Sequence, residues 1–137
     1  MRIAGVETAR RAAELARPYT IATRTITAVN LFFVRVRSDA GLEGHGSASP
    51  AKNVTGESAT ACGEALTEDR LDWLVGRDPR HLGALCGELK RRLPGTPAAR
   101  AAVDMALHDL FARILGVPLV DVLGRRQGPL PTSITVG

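Results

Sequence analysis

One stretch, residues 96–126, constrains the fold more than any other part of the sequence: TPAARAAVDMALHDLFARILGVPLVDVLGRR. Thr96 and Pro97 carry the signals for a helix start, a capping hydroxyl and then proline at the first helical position. Gly116 and Pro118 carry the signals for its end, a left-handed glycine and then a residue that cannot continue the helix. Between them the apolar residues recur at spacings of three and four, which predicts one amphipathic helix. These residues are Val103, Leu107, Leu110, Phe111 and Ile114.

The other surfaces of this predicted helix are also patterned. Its first turns are rich in alanine, so another element of the fold can approach them closely. Arg100, Asp104 and His108 follow at intervals of four residues, which places Asp104 beside both neighbours and able to pair with either. Residues 119–123 predict one further short helical turn, which Gly124 ends.

Strands are predicted in the first third of the chain. Residues 2–15 are predicted as an opening strand, and residues 29–37, which are β-branched and aromatic, as the strongest one. Residues 38–41 form a predicted hairpin turn, after which residues 42–47 return as the partner strand. Residues 19–27 are rich in threonine and isoleucine and fit either a strand or an ordered loop.

Helices are predicted after the strands. Residues 48–56 lack a period and are predicted as a loop. Residues 57–75 are predicted as a helix that stops at Gly76, and residues 78–93 as a helix capped by Asp78. Strands followed by helices predict an α+β fold, in which a small antiparallel β-sheet packs against a group of three or more α-helices.

Composition and charge narrow the classes of function. With 137 residues, 45% of them hydrophobic, the chain is long enough for one globular domain with a buried core. Its net charge of +4 comes from scattered arginines, without a basic stripe or stacking aromatic residues, which predicts no nucleic-acid partner. The sequence has no apolar segment typical of a signal peptide or a membrane span, and Cys62 and Cys86 are predicted to be reduced. The predicted compartment is therefore the cytoplasm, with no membrane contact.

The sequence of the long predicted helix contains a specific motif as well as a periodic apolar pattern. It contains A-x-x-A-x-D-M-A-L-x-D-L, followed by G-x-P-L-x-x-x-L-G. This motif resembles the hinge between the N-terminal capping domain and the barrel in the enolase superfamily, within its muconate-lactonising subgroup. The resemblance implies a capping domain over residues 1–128 with the hinge helix at 97–124. Residues 129–137 would then be the stub of the first strand of a missing TIM-like barrel, so the chain looks cut at a domain boundary.

The resemblance implies two lid segments, which close over the mouth of the barrel and set specificity. The first matches residues 17–29, RPYTIATRTITAV. It resembles the form K-P-F-x-T-A-x-R-T found in dipeptide epimerases, and the type that the resemblance implies is the L-Ala-D/L-Glu epimerase. The resemblance implies that Arg24 binds an anionic group of the substrate and that Tyr19 forms a wall of the pocket. A guanidinium suits this role because its planar fork bonds a carboxylate through two donors. Without the flanking match, Arg24 is one surface arginine among many.

The second lid segment lies at residues 44–57, GHGSASPAKNVTGE. It resembles the family pattern G-x-G-E-A-x-P followed by T-G-[DE], which implies that Val54 lines the pocket. Ser47 replaces the usual glutamate and leaves the exact substrate open. Residues 132–137, TSITVG, resemble the first barrel strand, where Thr135 would face the substrate. The alternative is that Thr135 has no role at the substrate and is there because threonine favours β-strands.

No catalytic residue and no metal site are predicted within this chain. Superfamily chemistry needs a lysine or histidine base and Mg²⁺. The chain has only Lys52 and Lys90, which form no K-x-K pair. His45, His81 and His108 lack the spacing of a metal site. The resemblance implies an isomerase, a dipeptide racemase-epimerase, whose Mg²⁺ is bound by the missing barrel, so no activity is expected from this chain alone.

The implied partners are the missing barrel domain or its homo-oligomer, and a dipeptide substrate bound through the lid loops. Two alternatives stay open. The chain fits the lid of another enzyme of the subgroup, such as a muconate cycloisomerase or an o-succinylbenzoate synthase, where a lid arginine at Arg24 is less expected. It also fits a non-catalytic remnant that binds another protein. Whether it is a domain, a truncated gene product or half of a split enzyme also stays open.

Overall fold

A three-stranded antiparallel sheet forms one layer of the fold in the computed structural model, which describes residues 1–21, 24–126 and 128–132. The strands β1 (Ile3–Ile21), β2 (Arg24–Ser38) and β3 (Glu43–Ala48) lie in the order β1-β2-β3. The predicted hairpin between β2 and β3 is confirmed, since Ser38 and Leu42 bond to each other across it.

The first two strands are longer than predicted. β1 continues past residue 15 to Ile21, and the undecided segment 19–27 is strand on both sides of residues 22 and 23. Tyr19 pairs with Ile26, so the two segments extend because they pair with each other and not through their own periodicity. The pairing register shifts between Glu14 and Tyr19, a stretch that contains a proline on an edge strand.

The second layer is helical, and its elements are α1 (Lys52–Thr55), α2 (Ala59–Ala65), α3 (Glu68–Leu71), α4 (Leu82–Arg92), α5 (Pro97–Leu115) and α6 (Leu119–Leu123). A 3₁₀ turn, Asp72–Leu74, follows α3. Together with the sheet these helices confirm the predicted α+β architecture. None of the described helices is both long enough and apolar enough to cross a membrane.

The predicted single helix over residues 57–75 is wrong, because the chain breaks after α2. In a straight helix at 100° per residue, Leu66 and Leu71 would point about 140° apart. The break turns both of them into the core, together with Leu74. Burial of three leucines outweighs the few hydrogen bonds that a continuous helix would add.

Two other boundaries differ from prediction. Residues 52–55 of the predicted loop form the short helix α1. α4 begins at Leu82 and not at Asp78, because the Asp78 carboxylate accepts the backbone N–H of Arg80 at 2.9 Å and closes a turn before the helix.

The α5 helix lies against the sheet at close range, as its small residues predict. A Cβ atom added to Gly46 would lie 1.9 Å from the Ala102 carbonyl oxygen, and one added to Gly44 would lie 2.1 Å from the Ala106 carbonyl oxygen. Only glycine therefore fits on β3 where the helix crosses it. The core between the layers is aliphatic and includes Val34, Val36, Leu85, Leu89, Val103, Leu107 and Leu110.

The predicted stops of α5 and α6 are confirmed: Gly116 after α5 is left-handed at φ 69°, and Gly124 after α6 also has a positive φ, 84°. The predicted strand over residues 132–137, with Thr135 in it, falls almost wholly outside the described residues. The boundary at residue 128 likewise stays a prediction.

Candidate functional site

The two predicted lid segments meet in one open groove of about 830 Å³. One wall is formed by residues 25–30 of β2, and the other by residues 49–53, which run from β3 into α1. The groove is lined by Thr25, Ile26, Thr27, Ala28, Val29, Asn30, Ser49, Pro50, Ala51, Lys52 and Asn53. Two segments that are separated in the sequence therefore line one groove.

A two-stranded ribbon carries the first wall. Among the described residues, β3 pairs with β2 as far as the Phe32–Ala48 pair, and beyond it the strand pairing continues between β1 and β2. Tyr19 lies on this ribbon opposite Ile26 of the groove wall, and 45% of its surface is exposed. Arg24 opens β2 opposite Ile21, and its side chain is outside the described part of the structure. The roles of Tyr19 and Arg24 thus stay predictions.

The short helix α1 carries the second wall. Val54 follows the lining residue Asn53 and is 77% exposed, so it presents an apolar side chain to solvent beside the groove. α1 ends at Gly56, which adopts a left-handed conformation at φ 78°. An exposed valine is available to a ligand, but no observed contact assigns it that role. Thr135, the fourth predicted substrate contact, lies outside the described residues.

Glu57 anchors the second wall to α5. Its side chain is buried, and its two carboxylate oxygens accept the backbone N–H groups of Ala98 and Ala99, the latter at 3.1 Å. A carboxylate here satisfies helix-terminal donors and lies at the positive end of the helix dipole. The prediction that Thr96 caps this helix is wrong: the buried Thr96 hydroxyl makes no hydrogen bond to any described residue.

The described lining of the groove is partly polar and carries a single charged side chain. Its described lining offers hydroxyls, amides and one ammonium group, Lys52, and contains no carboxylate, histidine or thiol. Ion pairs lie elsewhere, on the helices and on the sheet, where Arg35 bonds Glu7 and lies 3.6 Å from Glu43. The hydrogen bond from Arg35 lowers the pKa of Glu7. This network stabilises strand pairing and does not reach the groove.

One polar cluster was missed by the sequence analysis. Asp104 pairs with His108 at 3.3 Å, one of the two predicted options, and Cys86 of α4 lies beside both. The cysteine is half-buried. Its burial and, to a smaller extent, the neighbouring Asp104 carboxylate raise the pKa of its thiol to about 12. The spacing of four residues between Asp104 and His108 was visible in the sequence, but the contribution of Cys86 arises only from the packing of α4 on α5.

Comparison with known proteins places the chain in a family. Residues 3–124 match the family described as "Mandelate racemase / muconate lactonizing enzyme, N-terminal domain". The chain belongs to this family, and so to the muconate-lactonising subgroup of the enolase superfamily, as the hinge motif predicted.

Among curated proteins, the chain is 53% identical to the L-Lys-D/L-Arg epimerase of Methylococcus capsulatus, over 100% of the chain and 38% of that protein. It is 34% identical to the L-Ala-D/L-Glu epimerase of Bacillus subtilis, over 99% of the chain and 37% of that protein. The fold matches the crystal structure of the Methylococcus capsulatus dipeptide epimerase complexed with Mg and the dipeptide L-Arg-D-Lys, with a TM-score of 0.96 and 53% identity. That match covers 100% of this chain and 39% of the other. The chain thus spans less than two-fifths of the length of the relatives it resembles.

Proposed function

We propose that this domain is the lid of a Mg²⁺-dependent dipeptide epimerase and supplies its specificity loops. The observation that carries the proposal is the single groove formed by the two lid segments on a domain of this family. The lid holds the substrate and excludes water, while a barrel supplies the groups that remove and return the α-proton. We expect the chain alone to be inactive, because the described groove residues offer neither a pair of acid–base groups nor a carboxylate that could bind Mg²⁺.

The magnesium ion belongs to the barrel in this proposal. Mg²⁺ needs hard oxygen ligands, usually carboxylates, and the described groove residues offer none. In the barrel, the ion would supply positive charge that stabilises an enolate-like form of the substrate carboxylate. The groove residues do not fit Mg²⁺, and no step in the lid depends on it.

Large apolar side chains are exposed from the middle of α5 to the end of α6, and exposed apolar surface often marks a binding site. They are Met105, Leu115, Val117, Val120 and Leu123, with 41–66% of their surface exposed. We infer that a barrel, in the same or a second polypeptide, covers them. The cytoplasm stays the predicted compartment, in keeping with two unpaired cysteines.

Two classes of dipeptide are candidates. The relatives at 53% and 52% identity are named L-Lys-D/L-Arg epimerases, which favours cationic dipeptides. The predicted L-Ala-D/L-Glu type is the second candidate. It is favoured by the cationic character of the lid, where Lys52 lines the groove and Arg24 opens the neighbouring strand. A cationic substrate would need its carboxylate partners from the barrel, whereas an anionic one would find a cation in the lid.

The test joins this domain to the barrel of the Methylococcus capsulatus relative and measures α-proton exchange in deuterated water with Mg²⁺. L-Lys-L-Arg, L-Ala-L-Glu and a neutral dipeptide are compared at kcat/KM. We expect exchange from the chimera and none from this chain alone. Exchange by this chain alone, or an inactive but folded chimera, contradicts the lid assignment.

The role of Arg24 is tested in the same chimera. If Arg24 binds a substrate carboxylate, Arg24→Ala removes a charge-assisted contact of about 1.5–3 kcal/mol, roughly ten- to a hundred-fold in kcat/KM for L-Ala-L-Glu. Arg17→Ala, which changes an exposed cation of the same ribbon, serves as the matched control. Equal losses for anionic and neutral dipeptides mean that Arg24 does not contact a carboxylate.

A further inference from the structure

Three potential metal ligands meet between α4 and α5, away from the lid groove. Cys86 on α4 and Asp104 and His108 on α5 each offer one donor atom, and these three atoms lie within 4.8 Å of one another. The Nδ1 atom of His108 is 3.3 Å from Asp104 Oδ2 and 2.9 Å from the Asp104 carbonyl oxygen. All three residues are half-buried, so they are ordered by packing without being sealed from solvent.

The packing of α4 on α5 fixes the backbone of all three residues. The residue before each of them is a buried member of the core: Leu85, Val103 and Leu107. Ligands carried by packed helices hold a site more accurately than ligands on loops. Donor atoms of a tetrahedral zinc site lie about 3.3–3.8 Å apart, given bond lengths of about 2.0–2.3 Å. The three donors therefore need to close by only about 1 Å, which side-chain rotation supplies.

The chemistry of the donors selects the kind of ion. A thiolate, an imidazole and a carboxylate are the ligand types that zinc takes in proteins, whereas Mg²⁺ takes oxygen ligands. We propose that Cys86, Asp104 and His108 bind a divalent transition-metal ion, zinc by its donor chemistry, with water as the fourth ligand. The thiolate and the carboxylate together balance the charge of the ion. The Asp104 and His108 side chains are 42% and 24% exposed, which leaves space for the water.

Metal binding changes the protonation of Cys86. Binding forms the Sγ–metal bond and breaks the S–H bond, and the proton passes to the buffer. This step distinguishes a metal site from a hydrogen-bonded cluster, in which the thiol keeps its proton and donates to the Asp104 carboxylate.

The experiment titrates the reduced, metal-free chain with Co²⁺ as a spectroscopic probe. We expect a near-ultraviolet thiolate-to-cobalt charge-transfer band, the visible bands of tetrahedral coordination, release of a proton, and loss of the bands when Zn²⁺ is added. Cys86→Ser and Asp104→Asn should lower the affinity by at least about tenfold, the loss that outer-shell substitutions already cause at metal sites. His81→Ala, which removes an exposed histidine near α4, should leave it unchanged.

Circular dichroism on each variant separates loss of a ligand from loss of the fold, and the near-isosteric Asp104→Asn keeps the test valid if Cys86→Ser fails to fold. The proposal is overturned if the folded chain shows no charge-transfer band. It is also overturned if the band keeps its strength in folded Cys86→Ser or Asp104→Asn. The same holds if His81→Ala weakens the band as much as these two substitutions do, or if the urea-unfolded chain binds Co²⁺ as tightly as the folded chain. None of these outcomes depends on the epimerase assignment.

Discussion

Replacing Glu57 with alanine removes the contact that ties the second lid segment to the hinge helix. The buried carboxylate accepts two backbone N–H groups, those of Ala98 and Ala99. Hydrogen bonds to a charged group contribute about 1.5–3 kcal/mol each. The desolvation of a buried carboxylate offsets part of this, and water can enter the space left by alanine. We therefore expect a net destabilisation of about 2–3 kcal/mol, a large part of a typical domain stability of about 5–15 kcal/mol.

The measurement is urea unfolding followed by circular dichroism. With a slope of about 2 kcal/mol per molar urea, Glu57→Ala should lower the midpoint by roughly 1–1.5 M. Glu57→Gln, which keeps an acceptor oxygen but loses the charge, should fall between Glu57→Ala and the parent chain. Glu64→Ala is the matched control, because it removes an exposed carboxylate from the neighbouring α2. If Glu57→Ala and Glu64→Ala unfold at the same midpoint, the carboxylate does not stabilise α5 and the argument fails.

Three further predictions address other parts of the chain. Gly46→Ala should destabilise the fold by about 1–3 kcal/mol or more in the same urea assay, because the new Cβ meets helix backbone; an unchanged midpoint would contradict the close approach. Thermal stability should fall as the pH drops below about 4, since Arg80 holds the pKa of Asp78 below its ordinary value and protonation of Asp78 removes that pairing. In Asp78→Asn the melting temperature should fall less steeply with decreasing pH, and an identical pH dependence would refute this. Burial raises the pKa values of Cys62 and Cys86 to about 12. Both thiols should therefore react with a disulfide reagent at pH 8 far more slowly in the folded chain than in urea, and equal rates would show that neither is protected.

The anchoring by Glu57 has a consequence for the lid. Residues 49–56 run between β3 and Glu57, so both ends of this segment are fixed to α5, one by glycine packing and the other by the carboxylate. In the ribbon of β1 and β2, by contrast, the described strand pairing beyond Phe32 is between its own two strands. We expect substitutions on the ribbon to change substrate selection at smaller cost to stability than substitutions at Glu57.

The sequence by itself determined the elements whose signals are local. The extent of α5, its proline start and glycine stop, the β2–β3 hairpin and the small residues for close packing all follow from patterns within a few positions. The hinge motif added the family, because it combines several residues over one continuous segment.

The tertiary structure decided features whose partners are distant in sequence. α5 is capped by Glu57, 41 residues before Ala98, although Thr96 carries the local capping signal. The break after α2 depends on what Leu71 can bury against, and not on the helical preference of its neighbours. Backbone donors and apolar side chains take whichever partner the packed fold brings to them, since a buried group without a partner costs more than a lost local preference. A local pattern states what a segment favours alone, and only the fold supplies the partner that overrides it.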